Sequence, residues 1–206
     1  MDMSKNLKNK NDVTPLSKEA QPKSECTTII VGENQTADGS HIFARSEDFD
    51  ALRTKNFIVK KDTANGPEEF IAADSPFHCK LPKEALGYTG LPDYQYHEEW
   101  GSAGWNTAGV GESSTETIFS SPEALKADPY VADGLSECCT YNTVLPYIKT
   151  AREGVERLGA MIEKYGSAEG FGIGFIDSKE TWYLENAGGH RWLACRMPAD
   201  KYFVTG

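Results

Sequence analysis

An α+β chain with antiparallel sheet is the fold class this sequence predicts, and three observations predict it. Short β-type runs occupy both ends of the chain, a single long helical pattern lies between them, and the first two runs are joined by a tight-turn signature. Strands, then helix, then strands is the order expected of a layered α+β domain.

The elements follow in order. Residues 1 to 25, "MDMSKNLKNKNDVTPLSKEAQPKSE", are polar, rich in Lys and Asn, and carry two prolines. Such a stretch buries too little apolar surface to offset the entropy of ordering, so the expectation is a flexible leader or propeptide ahead of a folded domain over 26 to 206. "TTIIV" (27 to 31) is dense in β-branched residues, Asp38-Gly39 supplies a hairpin turn, and "HIFAR" (41 to 45) alternates again. "NFIVK" (56 to 60) reads as another strand, and the polar segment 61 to 95 holds only short extended pieces such as "FIAAD" and "ALGYTG". "GSAGWNTAGVGESSTETIFSS" (101 to 121) is Gly- and Ser-rich around an expected strand "GVGESST", a composition that lets backbone approach a neighbour closely. Ser121 as N-cap and Pro122 at the first helical position start a short helix.

The clearest helical pattern runs from 142 to 166, "NTVLPYIKTAREGVERLGAMIEKYG". Val144, Leu145, Ile148, Val155, Leu158 and Ile162 approximate one face, and Gly166 ends it. Pro146 sits in its first turn or kinks it. "GFGIGFID" and "TWYLEN" flank the turn "DSKE" as a second hairpin, and "HRWLACRM" and "KYFVTG" continue the β pattern. The sequence stops at Gly206 directly after Tyr202, Phe203 and Val204, and the expectation is a C-terminally truncated domain.

Composition narrows the function classes. With 39% apolar residues the chain can form a real core, and a net charge of -10 without a basic stripe argues against nucleic acid. Small molecules or peptides are the expected partners, and a homo-oligomer is left open. No run approaches the length of a membrane span, and the lysines of the amino terminus have no apolar block behind them, so the expected location is the cytoplasm. Five cysteines (26, 79, 138, 139 and 195) form no CxxC and no Cys/His spacing of a zinc site. No metal or cofactor is expected, and four of these thiols read as small core residues. His41, His78 and His97 are scattered without ligand spacing.

Cys26 heads the first strand immediately after the polar leader. Were the leader removed, this one residue would carry both a thiol and a free α-amine of pKa roughly 7.7 to 8.0, a nucleophile with its own base. The hairpin brings Arg45 and Asp48 back beside it, where an arginine favours thiolate and a carboxylate can hold an amine. A plain surface ion pair between Arg45 and Asp48 is the other reading of that spacing.

"CTTIIVG...DGSHIFARSEDFD" resembles the mature amino terminus of bacterial thiol dipeptidases of the dipeptidase A type, which are N-terminal-nucleophile hydrolases related to penicillin V acylase and bile salt hydrolase. "GWNTAGVGESSTETIF", "LPYIKTAREGVERLGAMIEKYG" and "WYLENAGGHRWLACRMPADKYFV" resemble further segments of that family, in collinear order from residue 26 to the end. The resemblance implies an αββα sandwich, incomplete here, with residues 26 to 206 as the N-terminal part of a hydrolase domain. It implies Cys26 as nucleophile exposed by cleavage after Glu25, with Arg45 beside it and Asp48 supporting the amine. It places Asn106, Thr115 and Glu116 in the strand region lining the pocket. His190, in "AGGHRW", where glycines leave room for close approach, is a candidate substrate contact, with a locally hydrogen-bonded turn histidine as the other reading. An asparagine and an arginine of the wider superfamily's site are expected beyond Gly206. The implied activity is hydrolysis of short peptides by thioester formation, without a metal. Two other readings stay open: an amidase or acylase of non-peptide amides, and a secernin-like non-enzymatic protein or inactive fragment.

Overall fold

The computed structural model describes residues 26–48, 54–73, 75–93, 101–116 and 118–205. The expected leader over 1–25 lies outside the described residues. Two sheets face one another, and a helical layer covers the far side of the larger one.

The smaller sheet holds β1 (Cys26–Val31) between β2 (Ile42–Glu47) and β12 (Tyr202–Thr205), all antiparallel. Its first hairpin is the one that Asp38-Gly39 predicts: Gly39 takes φ 76°, a left-handed conformation that glycine adopts without strain. Register pairs Cys26 with Glu47 and Thr28 with Arg45. Because side chains alternate along a strand, Cys26, Thr28 and Ile30 turn inward together with Phe43, Arg45 and Glu47.

The larger sheet runs β11 (Trp192–Arg196), β10 (Thr181–Asn186), β9 (Gly172–Ile176), β8 (Gly111–Thr115), β7 (Gly101–Asn106), β6 (Tyr88–Pro92) and β3 (Ile58–Lys60). β4 (Glu69–Ile71) and β5 (His78–Lys80) form a separate hairpin. β7 was not expected as a strand, since its sequence, "GSAGWN", has little β propensity. The glycines make it fit, for a Cβ at Gly101 would enter the Tyr141 ring that packs over this strand. Between the sheets, the hydroxyls of Thr28 and Thr115 meet at 2.5 Å, Phe43 lies against Gly174 where a Cβ would clash, and Phe203 packs on Tyr183 with ring centroids 5.5 Å apart.

On the helical side the structure corrects one expectation. The segment from 142 to 166 is not one helix. A single turn, α2 (Thr140–Thr143), leads into a 3-10 turn at Leu145–Tyr147, the chain extends at Ile148 (φ -130°, ψ 150°), and α3 (Ala151–Tyr165) then begins afresh. Pro146 has no amide proton to continue the ladder, and a second start signal lies downstream. Thr150 accepts from the Glu153 amide at 3.1 Å, while Glu153 reaches back to the Lys149 amide at 2.6 Å, a reciprocal cap. Thr150→Ala is expected to cost about 1 kcal/mol, read as a lower urea midpoint at unchanged slope. An unchanged midpoint would show that Glu153 alone fixes the start of α3.

From α3, Val155, Leu158 and Ile162 are buried against β9 and β10, each contributing about 1.5–3 kcal/mol of apolar burial. The short α1 (Pro122–Ala127) carries the predicted cap, with Ser121 accepting from the Ala124 amide at 3.2 Å. Among the described residues no helix is long and apolar enough to cross a membrane.

Candidate active site

Cys26 begins β1 and faces the larger sheet, 4% exposed. Arg45, on the neighbouring strand and the same face, donates from Nη1 to the Cys26 sulfur at 3.1 Å. The main-chain amide of Glu116, just past the end of β8, also hydrogen-bonds the thiol and favours its ionised form. Burial pushes the Cys26 pKa up, and Arg45 works against that shift.

Arg45 is itself enclosed, its side chain 7% exposed, and its charge is divided. Nη2 pairs with Glu47 Oε2 at 3.0 Å, and Nη1 lies 3.8 Å from Glu137 Oε1. Glu47 meets a second cation, Lys55, at 2.8 Å and accepts from the Ser102 hydroxyl at 3.3 Å. Burial opposes ionisation of Glu47, but the two cations prevail and hold its pKa below the ordinary glutamate value. Glu137 comes from the helical side, on a 3-10 turn at Glu137–Cys139. Its Oε1 lies 3.2 Å from the Ser114 hydroxyl, and burial pushes its pKa up to about 7 despite Arg45.

Beside this cluster a cleft of about 350 Å³ opens between the sheets, with Arg45 and Glu47 at one end and Phe43, Phe57, Trp105 and Ile176 as apolar walls. Its size and its mix of apolar surface with a few convergent charges suit a small organic ligand. Among the described residues no group of His, Cys, Asp and Glu is placed to hold a metal ion.

The residues singled out in the sequence divide into two sets. Cys26, Arg45, Thr115 and Glu116 gather at one place, Glu116 through its backbone. Asp48 stands at the margin, on the opposite face of β2 from Arg45, accepting from Ser46 at 3.0 Å and from Thr27 at 3.4 Å. It is thus next to the residue that follows Cys26. Asn106 points to the helical layer, where Nδ2 donates to the Leu145 and Ile148 carbonyls at 2.8 Å and Oδ1 accepts from the Ala108 and Val110 amides at 3.0 Å. His190 sits in the exposed turn between β10 and β11 and pairs with Asp128, Nδ1 to Oδ1 at 3.0 Å and amide to Oδ2 at 2.7 Å. None of the hydrogen bonds of Asn106 or His190 goes to Cys26 or Arg45.

Glu47 and Glu137 went unnoticed in the sequence. For Glu47 a signal existed: two residues beyond Arg45 on a strand, it must share that face. Glu137 had none, being brought in by the packing of a turn on the sheet.

The model of peptidase family C69 matches residues 25–206. The chain belongs to peptidase family C69. Among C69-like relatives, a "Probable dipeptidase" of Salmonella dublin is 46% identical over 182 residues, 87% of this chain and 42% of its own length. A "Probable dipeptidase B" of Lactococcus lactis is 44% identical over 189 residues, 91% of this chain and 40% of its own. A "Dipeptidase" of Bifidobacterium longum is 43% identical over 195 residues, with 87% and 36% covered. The chain therefore spans 36% to 42% of the length of these three relatives.

Solved structures establish the fold of this C69 chain. Penicillin V acylase from Agrobacterium tumefaciens aligns with a TM-score of 0.53 at 18% identity, over 83% of this chain and 49% of that one. A Caenorhabditis elegans ortholog of N-acylethanolamine-hydrolyzing acid amidase aligns with a TM-score of 0.55 at 13% identity, over 87% and 69%. The two facing sheets with a helical layer outside the larger one are the fold of these two proteins, and the layered α+β architecture is the one that the sequence resemblance implies.

Proposed function

We propose that this C69 chain forms the nucleophile-bearing part of a cysteine dipeptidase acting on short peptides. The observation that carries the reading is the contact of Arg45 with the Cys26 sulfur at the head of β1, beside an inter-sheet cleft. Membership of C69 and the dipeptidase names of relatives above 40% identity support the substrate class.

In this reading, cleavage after Glu25 frees the Cys26 α-amine. The amine takes the thiol proton, the thiolate attacks the scissile carbonyl, and the tetrahedral oxyanion forms near main-chain donors such as the Glu116 amide. The leaving amine then receives the proton, and water hydrolyses the thioester to restore the thiol. Asp48 is the carboxylate this reading assigns to the freed ammonium of Cys26, a role supported by its hydrogen bond to the next residue, Thr27. Thr115 would fix the strand through Thr28. In this reading the protein works in the cytoplasm, where cysteine thiols stay reduced.

A second reading, hydrolysis of non-peptide amides, is supported by the names of the two fold neighbours, an acylase and an amidase ortholog. The whole protein assayed on unblocked dipeptides and on acyl amides separates the two. Dipeptide turnover by a form whose measured mass begins at Cys26 is the expected result. Turnover of acyl amides alone would favour the second reading, and an active protein retaining residues 1 to 25 would remove the N-terminal nucleophile.

A further inference from the structure

Arg45 serves more than one acidic group beside Cys26. Its Nη2 pairs with Glu47, which also meets Lys55. Its Nη1 lies 3.1 Å from the Cys26 sulfur and 3.8 Å from Glu137 Oε1. Two groups, each able to carry a negative charge, thus share one guanidinium nitrogen.

Glu137 is built into this position. It is 8% exposed, its amide donates to Glu169 Oε1 at 2.8 Å, and its carbonyl accepts from the Thr140 hydroxyl at 2.9 Å. The carboxyl approaches where the ends of β7 and β8 part, at Ser114, whose hydroxyl is shared between Glu137 Oε1 and the Ser102 carbonyl at 3.2 and 3.3 Å. Oε2 has no hydrogen-bond partner among the described residues and no access to solvent. The other titratable groups around it are Glu47, Glu169, Tyr183 and Cys26, and Arg45 is the cation among them. A buried carboxylate in these surroundings is costly unless the guanidinium serves it.

We propose that Glu137 is a positioning residue for the nucleophile: its carboxyl competes with the Cys26 sulfur for Arg45, and the thiolate forms as Glu137 takes up a proton. The site then holds one negative charge in either state. In the resting state it lies on Glu137 with Cys26 as thiol; in the armed state it lies on sulfur with Glu137 neutral. The proton that leaves the thiol goes to solvent or to the Cys26 α-amine, and Glu137 gains one from the same pool, so the charge of the site is unchanged. Such a pair titrates in shared steps rather than as two independent groups. Burial, by pushing Glu137 up to about 7, keeps its neutral form accessible near neutral pH.

This inference rests on the reading of Cys26 as nucleophile, but its test needs no turnover. Thiolate absorbance in the ultraviolet, followed against pH and taken as the difference from a Cys26→Ala control in the same background, gives the ionisation of Cys26. Glu137→Gln removes the competing charge while keeping the shape, and the midpoint is expected to move down by about one pH unit or more. Ser114→Ala, which withdraws a donor favouring ionised Glu137, is expected to move it the same way by less. It serves as the second arm if the glutamine variant fails to fold. An unmoved or raised midpoint overturns the proposal, even if Glu137→Gln lowers activity, since that pattern marks a structural role only. A protein that shows the shift but cleaves no dipeptide would instead sink the functional reading and leave this one standing.

Discussion

Arg45→Ala is expected to damage both the chemistry and the fold, whereas Cys26→Ala should abolish turnover and leave the fold intact. The difference comes from what each residue holds. Cys26 is a small buried side chain whose loss leaves a minor gap. Arg45 is the cation between three groups, the Cys26 sulfur, Glu47 and Glu137, in a place almost closed to water. Without it Glu47 keeps Lys55, but Glu137 faces its neighbours with no compensating charge, and breaking a buried pair in this way costs about 3–5 kcal/mol. Part of that cost is relieved if Glu137 protonates, so the loss should be smaller at pH 5 than at pH 8. The sign follows from linkage: in the variant the folded state holds a proton on Glu137 that the unfolded chain releases, so stability falls as pH rises. On the chemical side, the thiol loses the contact that offsets its burial, and kcat/KM on dipeptides should fall by about two to three orders of magnitude. Urea denaturation at the two pH values and steady-state kinetics on the folded fraction measure both effects. An Arg45→Ala protein of unaltered stability at pH 8 would show that the ion pairs around it contribute nothing net.

The sequence alone brought Cys26 and Arg45 together because their meeting depends on a local device. An Asp-Gly turn between two alternating runs fixes a hairpin, and a hairpin fixes which residues meet across it. The alternative reading of Asp48, an ion pair with Arg45, is not what the structure holds: alternation sends Asp48 to the face opposite Arg45, and Glu47, one residue earlier, takes the direct contact. The break of the long helical pattern was also readable, since Thr150 and Glu153 carry a start signal inside it, but the apolar face runs across the break and masks it. β7 could not be read, because its glycines answer to close neighbours, Gly101 to the Tyr141 ring and Gly104 to the Thr89 carbonyl of β6, and not to strand propensity. Glu137 lies in the same class. It is distant in sequence from Cys26 and Arg45, and only the packing of its turn against the ends of β7 and β8 brings its carboxyl to the site.

Asn106→Ala is the second large effect, and it separates a pocket residue from a structural one. The side chain is 6% exposed and all four of its hydrogen-bonding positions are occupied by main chain. Two of these bonds close the turn that joins β7 to β8, and the other two tie that turn to the extended break between α2 and α3. Alanine would leave the Val110 amide and the Leu145 and Ile148 carbonyls without partners away from solvent, at about 1–3 kcal/mol each when nothing replaces the bond, while the Ala108 amide lies in an exposed turn where water can reach it. Water entering the vacated volume would recover part of this, which brings the expected net loss to about 3–5 kcal/mol. Aspartate should be no better, because it would turn an acceptor toward the Leu145 and Ile148 carbonyls where a donor is needed. If the role is structural, both variants should unfold at much lower urea while the folded fraction keeps its kcat on dipeptides, the cleft being lined by other residues. If instead Asn106→Ala retained full stability and lost turnover, the asparagine would belong to the substrate pocket as its place in the Gly-rich segment implied, and the β7–β8 turn would have to be held by its backbone alone.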